Sequence, residues 1–433
     1  MQSVKCKIKN FKGLKNESII ILIICFLFCS MFIGCKKNTG KTDVVFWHAM
    51  GDPNDKILNS LILDFETENP NINIKAEYIG NYDVLMQKIL ASIVAENPPD
   101  ISQVYENWTT RLKEAGAIVP LQKFINGPDG LSRENIKDIF PIFIKNVSYD
   151  GMIWTFPFNK SIYVYYYNAA HFKECGIDKP PATIDEFLET CKKLTKYDSK
   201  GNVQRYGFAF KANVDIFSIL LYINGGKFFD SKKPVAIFND ETGVKTLQFI
   251  VDLVNTHKVA YYTKEHMDAD FASGRMSSFI ATITHKNYLK PVIKFKLGVA
   301  MLFRGKFALS PIAGTNLAIF SKSSHEKQKA GWKFIKWLLT PENSAKWSIG
   351  TSYLPVRRSA LSVKMMQEHL KEDPECLIGI KSLDIACTDP RPKIWNEVRI
   401  FISEAIEKAL LGKSTPKQAL DEAVTKVNLL LSK

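Results

Sequence analysis

The 433-residue chain has little of what usually marks an enzyme or a metalloprotein. It contains no CxxC pair and no zinc-like cysteine spacing, and its seven histidines never form a ligand-spaced pair on one helix face. His325-Glu326 opens like a zincin motif, but Lys329 stands where the second histidine belongs. GxSxG and GxGxxG are both missing, which removes the nucleophile elbow and the dinucleotide fingerprint. Gly412-Lys413-Ser414 ends like a phosphate-cradling loop, yet Glu407 occupies the earlier glycine position and a helical pattern precedes it. No dense Lys/Arg block carries interleaved aromatics, which argues against a nucleic-acid partner. After the leader there is no apolar run long enough to span a bilayer, no internal repeat and no low-complexity segment.

What the chain does have begins at its first residues. Lys5, Lys7, Lys9, Lys12 and Lys15 make a basic lead-in, Ile19 to Ile33 is almost wholly apolar, and Lys36 to Thr39 turn abruptly polar. A basic end, a short apolar run and a small residue at the break form a secretory signal. The run falls short of the roughly 18 residues that span a bilayer comfortably. Phe32-Ile33-Gly34-Cys35 resembles the lipobox of bacterial lipoproteins, with Phe32 at the usual leucine position. The expectation is a lipoprotein signal peptide over 1–34 and a lipidated tether over 35–42, acylated at Cys35. The alternative is an uncleaved signal anchor.

Without the leader about 400 residues remain, more than one core usually serves, so two domains are expected. Hydrophobic residues at 46% and charged residues at 24% describe an ordinary globular protein. The leader holds five lysines against Glu17, so the net charge of +14 falls to about +10 on the mature chain. Such a surface can attract anions, although most of these lysines read as solvated helix faces. Cys175, Cys191, Cys376 and Cys387 remain on the mature chain, either as two disulfides or as buried free thiols.

Val44 to Trp47 reads as a buried strand, and Asp55 to Glu68 carries Ile57, Leu58, Leu61, Ile62 and Phe65 at helical spacing. Ile72 to Tyr78 alternates as a strand, a second amphipathic helix runs from Tyr82 to Ala95, and Ile101 to Tyr105 supplies another strand. That rhythm predicts a parallel sheet covered by helices. Tyr149-Asp150-Gly151 reads as a turn between two β-like segments, and Thr183 with Glu186 as a capping box. Helices are expected at 214–223 and 241–256, β-like pieces at 276–283, 295–302 and 316–320, and a helical end from Glu326. Tyr163, Tyr165, Tyr166 and Tyr167 form an aromatic strand, more often core than a stacking platform.

Longer segments carry a resemblance. FWHAMGDPND, LILDFETENPNINI, GNYDVLMQKILA and NPPDISQVYE, followed by MIWTFPFNKSIYVYYYN, FASGRMSSFIATI, GWKFIKWLLTPENSAKWSIGTSYLPVRRSA and LLGKSTPKQALDEAVTKVN, resemble family 1 solute-binding proteins of ABC importers. The likeness spans nearly all of the mature chain in family order. It implies an α/β, two-lobed periplasmic-binding-protein-like fold (type II) with the ligand cleft between lobes. The approximate lobes are 43–148 with 288–345, and 149–287 with 346–433. It further implies a monomeric non-enzyme without cofactor or metal that delivers a small solute to an ABC permease, and the leader adds export to the cell envelope, periplasmic or extracellular, with a lipid tether at the membrane. FWH, GNY and QVYE are most similar to the glycerol-3-phosphate binders of that family. On that basis the implied ligand-binding residues are Tyr82, Glu106, Ser161, Thr282, Gly314, Tyr353 and Arg399. Thr282 replaces a serine, and a tryptophan pair of those binders is lost where this chain runs Phe208 to Asp215.

The residue types suit such a ligand. A guanidinium offers a planar fork to phosphate oxygens. The hydroxyls of Tyr82, Ser161, Thr282 and Tyr353 donate without adding charge, and a glycine lets backbone approach closely. A carboxylate such as Glu106 accepts from the hydroxyls of a glycerol or a sugar. The expected solute is glycerol-3-phosphate or a glycerophosphodiester, with a neutral sugar or oligosaccharide as the alternative. A lipid-anchored hydrolase would need a nucleophile–base constellation, and none is found.

Overall fold

The computed structural model describes residues 40–432 apart from His266, so the signal segment and Cys35 lie outside the described residues. Among the described residues fourteen strands follow in chain order: β1 Thr42–His48, β2 Ile72–Tyr78, β3 Ile101–Val104, β4 Ser148–Tyr149, β5 Met152–Ile153, β6 Phe156–Asn168, β7 Lys196–Tyr197, β8 Val203–Arg205, β9 Phe208–Lys211, β10 Ala260–Thr263, β11 Ser278–Thr282, β12 Leu297–Ala300, β13 Ser310–Ile319 and β14 Ala386–Cys387. Ten of them join one sheet whose main path runs β10-β9-β11-β6-β13-β3-β1-β2.

The first strands follow the expected rhythm. β1 lies between β2 and β3 and is parallel to both. Its residues are buried on both faces. Val44 and Phe46 pack with Leu58, Leu61 and Phe65 of the helix Asn54–Glu68, while Trp47 packs with Leu85 and Ile89 of the helix Tyr82–Val94. The sheet as a whole is mixed rather than parallel, because β13 pairs antiparallel with both β3 and β6. Those neighbours come from distant parts of the chain, and no local pattern carries their direction. The four tyrosines belong to one long strand, β6, which pairs with β11, β12 and β13.

Two large cores divide the molecule. One gathers Phe46, Phe65, Ile101, Ile319 and Phe334, and the other Phe187, Phe208, Phe217, Leu247, Val398 and Leu420. β6 contributes to both, with Phe156, Phe158 and Ile162 in the first and Tyr165 in the second. Asp150 and Gly151 take positive φ of 50° and 77°, the turn that joins β4 to β5 as a tight hairpin. The Thr183 cap forms, but Glu186 accepts from the Ala182 N–H at 2.7 Å, one residue earlier than a reciprocal box requires. Cys175, Cys191, Cys376 and Cys387 are free thiols. Among the described residues no helix is long and apolar enough to cross a membrane.

Candidate functional site

A cavity of about 440 Å³ opens where the two cores meet, and four of the seven expected residues line it: Tyr82, Glu106, Thr282 and Arg399. Local geometry explains their position. β2 and β3 each end just before a helix, and Tyr82 and Glu106 are the first residues of those helices. Asn81 caps the first helix by accepting the Val84 N–H at 3.0 Å. Ligands of α/β sheets gather at this carboxyl end of the parallel strands. From the opposite side, Asp215 lies in the first turn of the helix Val214–Ile223 that follows β9, and Arg399 lies in the helix Trp395–Leu410. A second cavity of about 250 Å³ shares Tyr163, Asp215 and Thr282 with the first and extends toward Lys211 and His285.

The other three residues stand behind this surface. Asn159 donates to the Tyr82 hydroxyl at 3.0 Å, and the Tyr353 hydroxyl interacts with both Asn159 and Tyr82. The Tyr353 ring lies nearly parallel to Trp347, at 5.8 Å. Ser161 is buried on β6 opposite Ala313, which lines the cavity, and its hydroxyl has no hydrogen-bond partner. Gly314 has a φ of +90°, and a Cβ there would come within 1.8 Å of the Asn159 carbonyl oxygen. The position therefore requires glycine for the close approach of β13 to β6.

The electrostatics of the cavity are uneven. Arg399 donates to Asp215 at 2.8 Å and still faces the open space. Burial works against its charge, but Asp215, Tyr163 and Asp389 together hold its pKa above the ordinary value. Glu106 is only 8% exposed, and its Oε2 has no hydrogen-bond partner. Burial pushes the Asp389 carboxyl up to about 7, although Arg399 and the Tyr222 hydroxyl at 2.8 Å pull it down. One guanidinium thus shares the cavity with four carboxyl groups, those of Asp83, Glu106, Asp215 and Asp389. Tyr105 and Trp108 add aromatic edges on the Glu106 side, their ring centroids 5.1 Å apart.

Sequence reasoning missed Asp389, Tyr105, Trp108, Trp395 and the cleft position of Tyr163. Tyr105 adjoins Glu106 and could have been found beside it. Asp389 lies in an irregular segment that carries no periodic or motif signal.

Residues 60–376 match the family of bacterial extracellular solute-binding proteins, and the chain belongs to that family. Among its relatives is the sn-glycerol-3-phosphate-binding periplasmic protein UgpB of Pectobacterium atrosepticum, 28% identical over 440 residues, covering 96% of this chain and 97% of that protein. UgpB of Escherichia coli K12 is 27% identical over 413 residues, covering 90% of this chain and 92% of that one. UgpB from Mycobacterium tuberculosis, solved with glycerophosphocholine, superposes with a TM-score of 0.80 at 21% identity, over 90% of this chain and 99% of that one. An ABC substrate-binding protein from Listeria monocytogenes in complex with cycloalternan reaches 0.80 at 22% identity, over 90% and 99%. These structures establish the two-lobed solute-binding fold. The curated relatives are binding proteins rather than enzymes.

Proposed function

We propose that this solute-binding protein of an ABC importer captures a glycerophosphodiester in the cleft lined by Tyr82, Glu106, Thr282 and Arg399. The observation that carries this reading is the single guanidinium of Arg399 sharing one cavity with Asp83, Glu106, Asp215 and Asp389. A phosphomonoester carries close to two charges at neutral pH, about −1.5 to −2, and would meet a surplus of carboxyl groups. A phosphodiester carries one, matched by Arg399, while Glu106 accepts from glycerol hydroxyls or meets a cationic head group. Ser161, Gly314 and Tyr353 support the wall rather than touch the solute. Glycerol-3-phosphate itself is a weaker fit to the same site. A neutral sugar is the second reading, favoured by the rings of Tyr105 and Trp108.

Calorimetry with glycerophosphocholine, glycerol-3-phosphate and neutral sugars tests the ligand. Charge-assisted hydrogen bonds contribute about 1.5–3 kcal/mol each, so Arg399→Ala should weaken the diester at least about tenfold. Asp215→Asn should tighten it by freeing the guanidinium. A wild type that ignores both phosphate esters and binds a neutral sugar, with Arg399→Ala unaffected, would overturn the phosphate reading while leaving the transport role. Membrane tethering through Cys35 belongs to the same proposal. It predicts that Cys35→Ser moves the protein from the membrane fraction to the soluble one, since stable anchoring takes more than one acyl chain.

A further inference from the structure

Outside the cleft, one cluster stands apart in its chemistry. Lys286, the first residue of the short helix Lys286–Leu289, is 1% exposed, and its Nζ lies 2.7 Å from Asp373 Oδ2 and 2.7 Å from Cys376 Sγ. Lys290 pairs with the same Asp373 oxygen. His369 Nε2 is 3.4 Å from the Cys376 sulfur, and Asp373 Oδ1 is buried without a hydrogen-bond partner.

His369, Asp373 and Cys376 alone could be taken for a metal triad, since their ligand atoms lie within 4.8 Å of one another. Two ammonium groups already occupy that carboxylate, however, and one of them is also wedged against the sulfur. A divalent cation would have to displace both. The unusual feature is the nitrogen–sulfur separation itself. Arg205 approaches Cys175 at 3.4 Å, an ordinary distance for a large sulfur acceptor, whereas Lys286 lies 2.7 Å from Cys376. A single oxygen atom bonded to both would hold nitrogen and sulfur about that far apart. The backbone N–H of Lys286 also donates to the Tyr166 hydroxyl at 3.1 Å, so the amine is presented from a fixed frame.

We propose that Lys286 and Cys376 are a redox modification site, joined by an N–O–S crosslink when the protein meets hydrogen peroxide. The Cys376 sulfur attacks one peroxide oxygen; the S–O bond forms, the O–O bond breaks, water leaves, and a sulfenic acid remains. His369, with Nε2 at 3.4 Å from the sulfur, takes the thiol proton. A second peroxide oxidises the Lys286 amine in the same way to a hydroxylamine and releases water, once the ammonium has given up its proton to solvent. The hydroxylamine oxygen then attacks the sulfenic sulfur and expels the third water. Amine, thiol and two peroxides give the linkage and three waters. Reduction by two equivalents of a dithiol returns amine, thiol and one water. The residues joined are 90 apart in sequence. The crosslink ties the segment following Thr282 to the segment leading to Asp389, and closing so long a loop constrains the unfolded chain as a disulfide does.

The test treats the intact protein with hydrogen peroxide and digests it without reductant. Mass spectrometry should find a peptide pair joined through Lys286 and Cys376, heavier than the sum of the two by one oxygen and lighter by two hydrogens. Dithiothreitol should separate the pair and lower the thermal midpoint back to that of untreated protein. Cys376→Ser and Lys286→Met should each abolish the species. Recovery of Cys376 as a free thiol, or as a sulfinic acid with Lys286 unlinked, overturns the proposal. A linkage lacking the oxygen overturns it as well.

Discussion

Asp389 shows how much a single residue's behaviour depends on neighbours that lie far away in sequence. Burial, with Glu106 and Asp215 adding to it, holds its carboxyl near 7 against the pull of Arg399 and Tyr222. An unfolded aspartate titrates near about 3.9, so between that value and 7 the folded chain holds a proton that the unfolded chain has released. Stability therefore falls as pH rises through this window, and the loss is complete above the folded pKa. Binding should follow the same direction. Neutral Asp389 leaves the charge of Arg399 available to an anion, and ionised Asp389 opposes it. Affinity for glycerophosphocholine should decline between pH 6 and 8, by up to about tenfold per pH unit. Asp389→Asn should flatten the profile, and a wild type with constant affinity across that range would contradict the assignment. No local signal marks this residue, because its partner Tyr222 is 167 positions away and the segment around it has no period. Tyr82, Glu106 and Thr282 were accessible from the sequence because each sits in a short segment resembling a known family, whereas Arg399 was reached only through its late position in the family order.

At the scale of elements, period and capping chemistry were legible wherever a helix or strand packs one face locally. The helix Tyr82–Val94 buries Leu85, Met86 and Ile89, and its sequence shows that stripe. The helix expected over 241–256 instead ends as α-helix at Val251 and continues as a wider π turn from Asp252 to Thr256. The pairing of β13 with β3 and β6 was not legible, since strand direction and register between remote segments depend on tertiary packing. β13 also carries an irregularity between Gly314 and Asn316, where the register against β6 shifts. The Gly314 carbonyl there accepts from the buried Lys160 at 3.2 Å. Gly314→Ala should cost roughly 1–3 kcal/mol from the positive φ alone, with the contact against Asn159 adding to it. Urea unfolding measures this directly, and a variant as stable as wild type would show that β13 can shift away from β6.

For the whole molecule, the question is what holds the two sides of the cleft together. Tyr82 and Glu106 are carried by helices packed on a smaller cluster around Trp47, on the other face of β1 from the first core, and Asp215 and Arg399 by helices packed on the second. β6 runs continuously through both cores, so it can bend without breaking either. Across the cleft, Asn107 donates to Asn396 at 2.8 Å and Thr110 to the Arg391 carbonyl at 2.7 Å. Neutral hydrogen bonds of this kind contribute about 0.5–1.5 kcal/mol each, and the Arg391 guanidinium adds charged donation to the Asn146 and Ser148 carbonyls at 2.9 and 3.1 Å. A ligand touching both sides gains its full set of contacts only when they are closed, and its binding shifts the population toward closure. Small-angle scattering should therefore show a smaller radius of gyration with saturating glycerophosphocholine than without ligand. Asn107→Ala should weaken binding modestly without touching the phosphate, because it removes a bond of the closed state. An unchanged radius at a saturation confirmed by calorimetry would mean that the cleft is rigid and that the solute enters a preformed site.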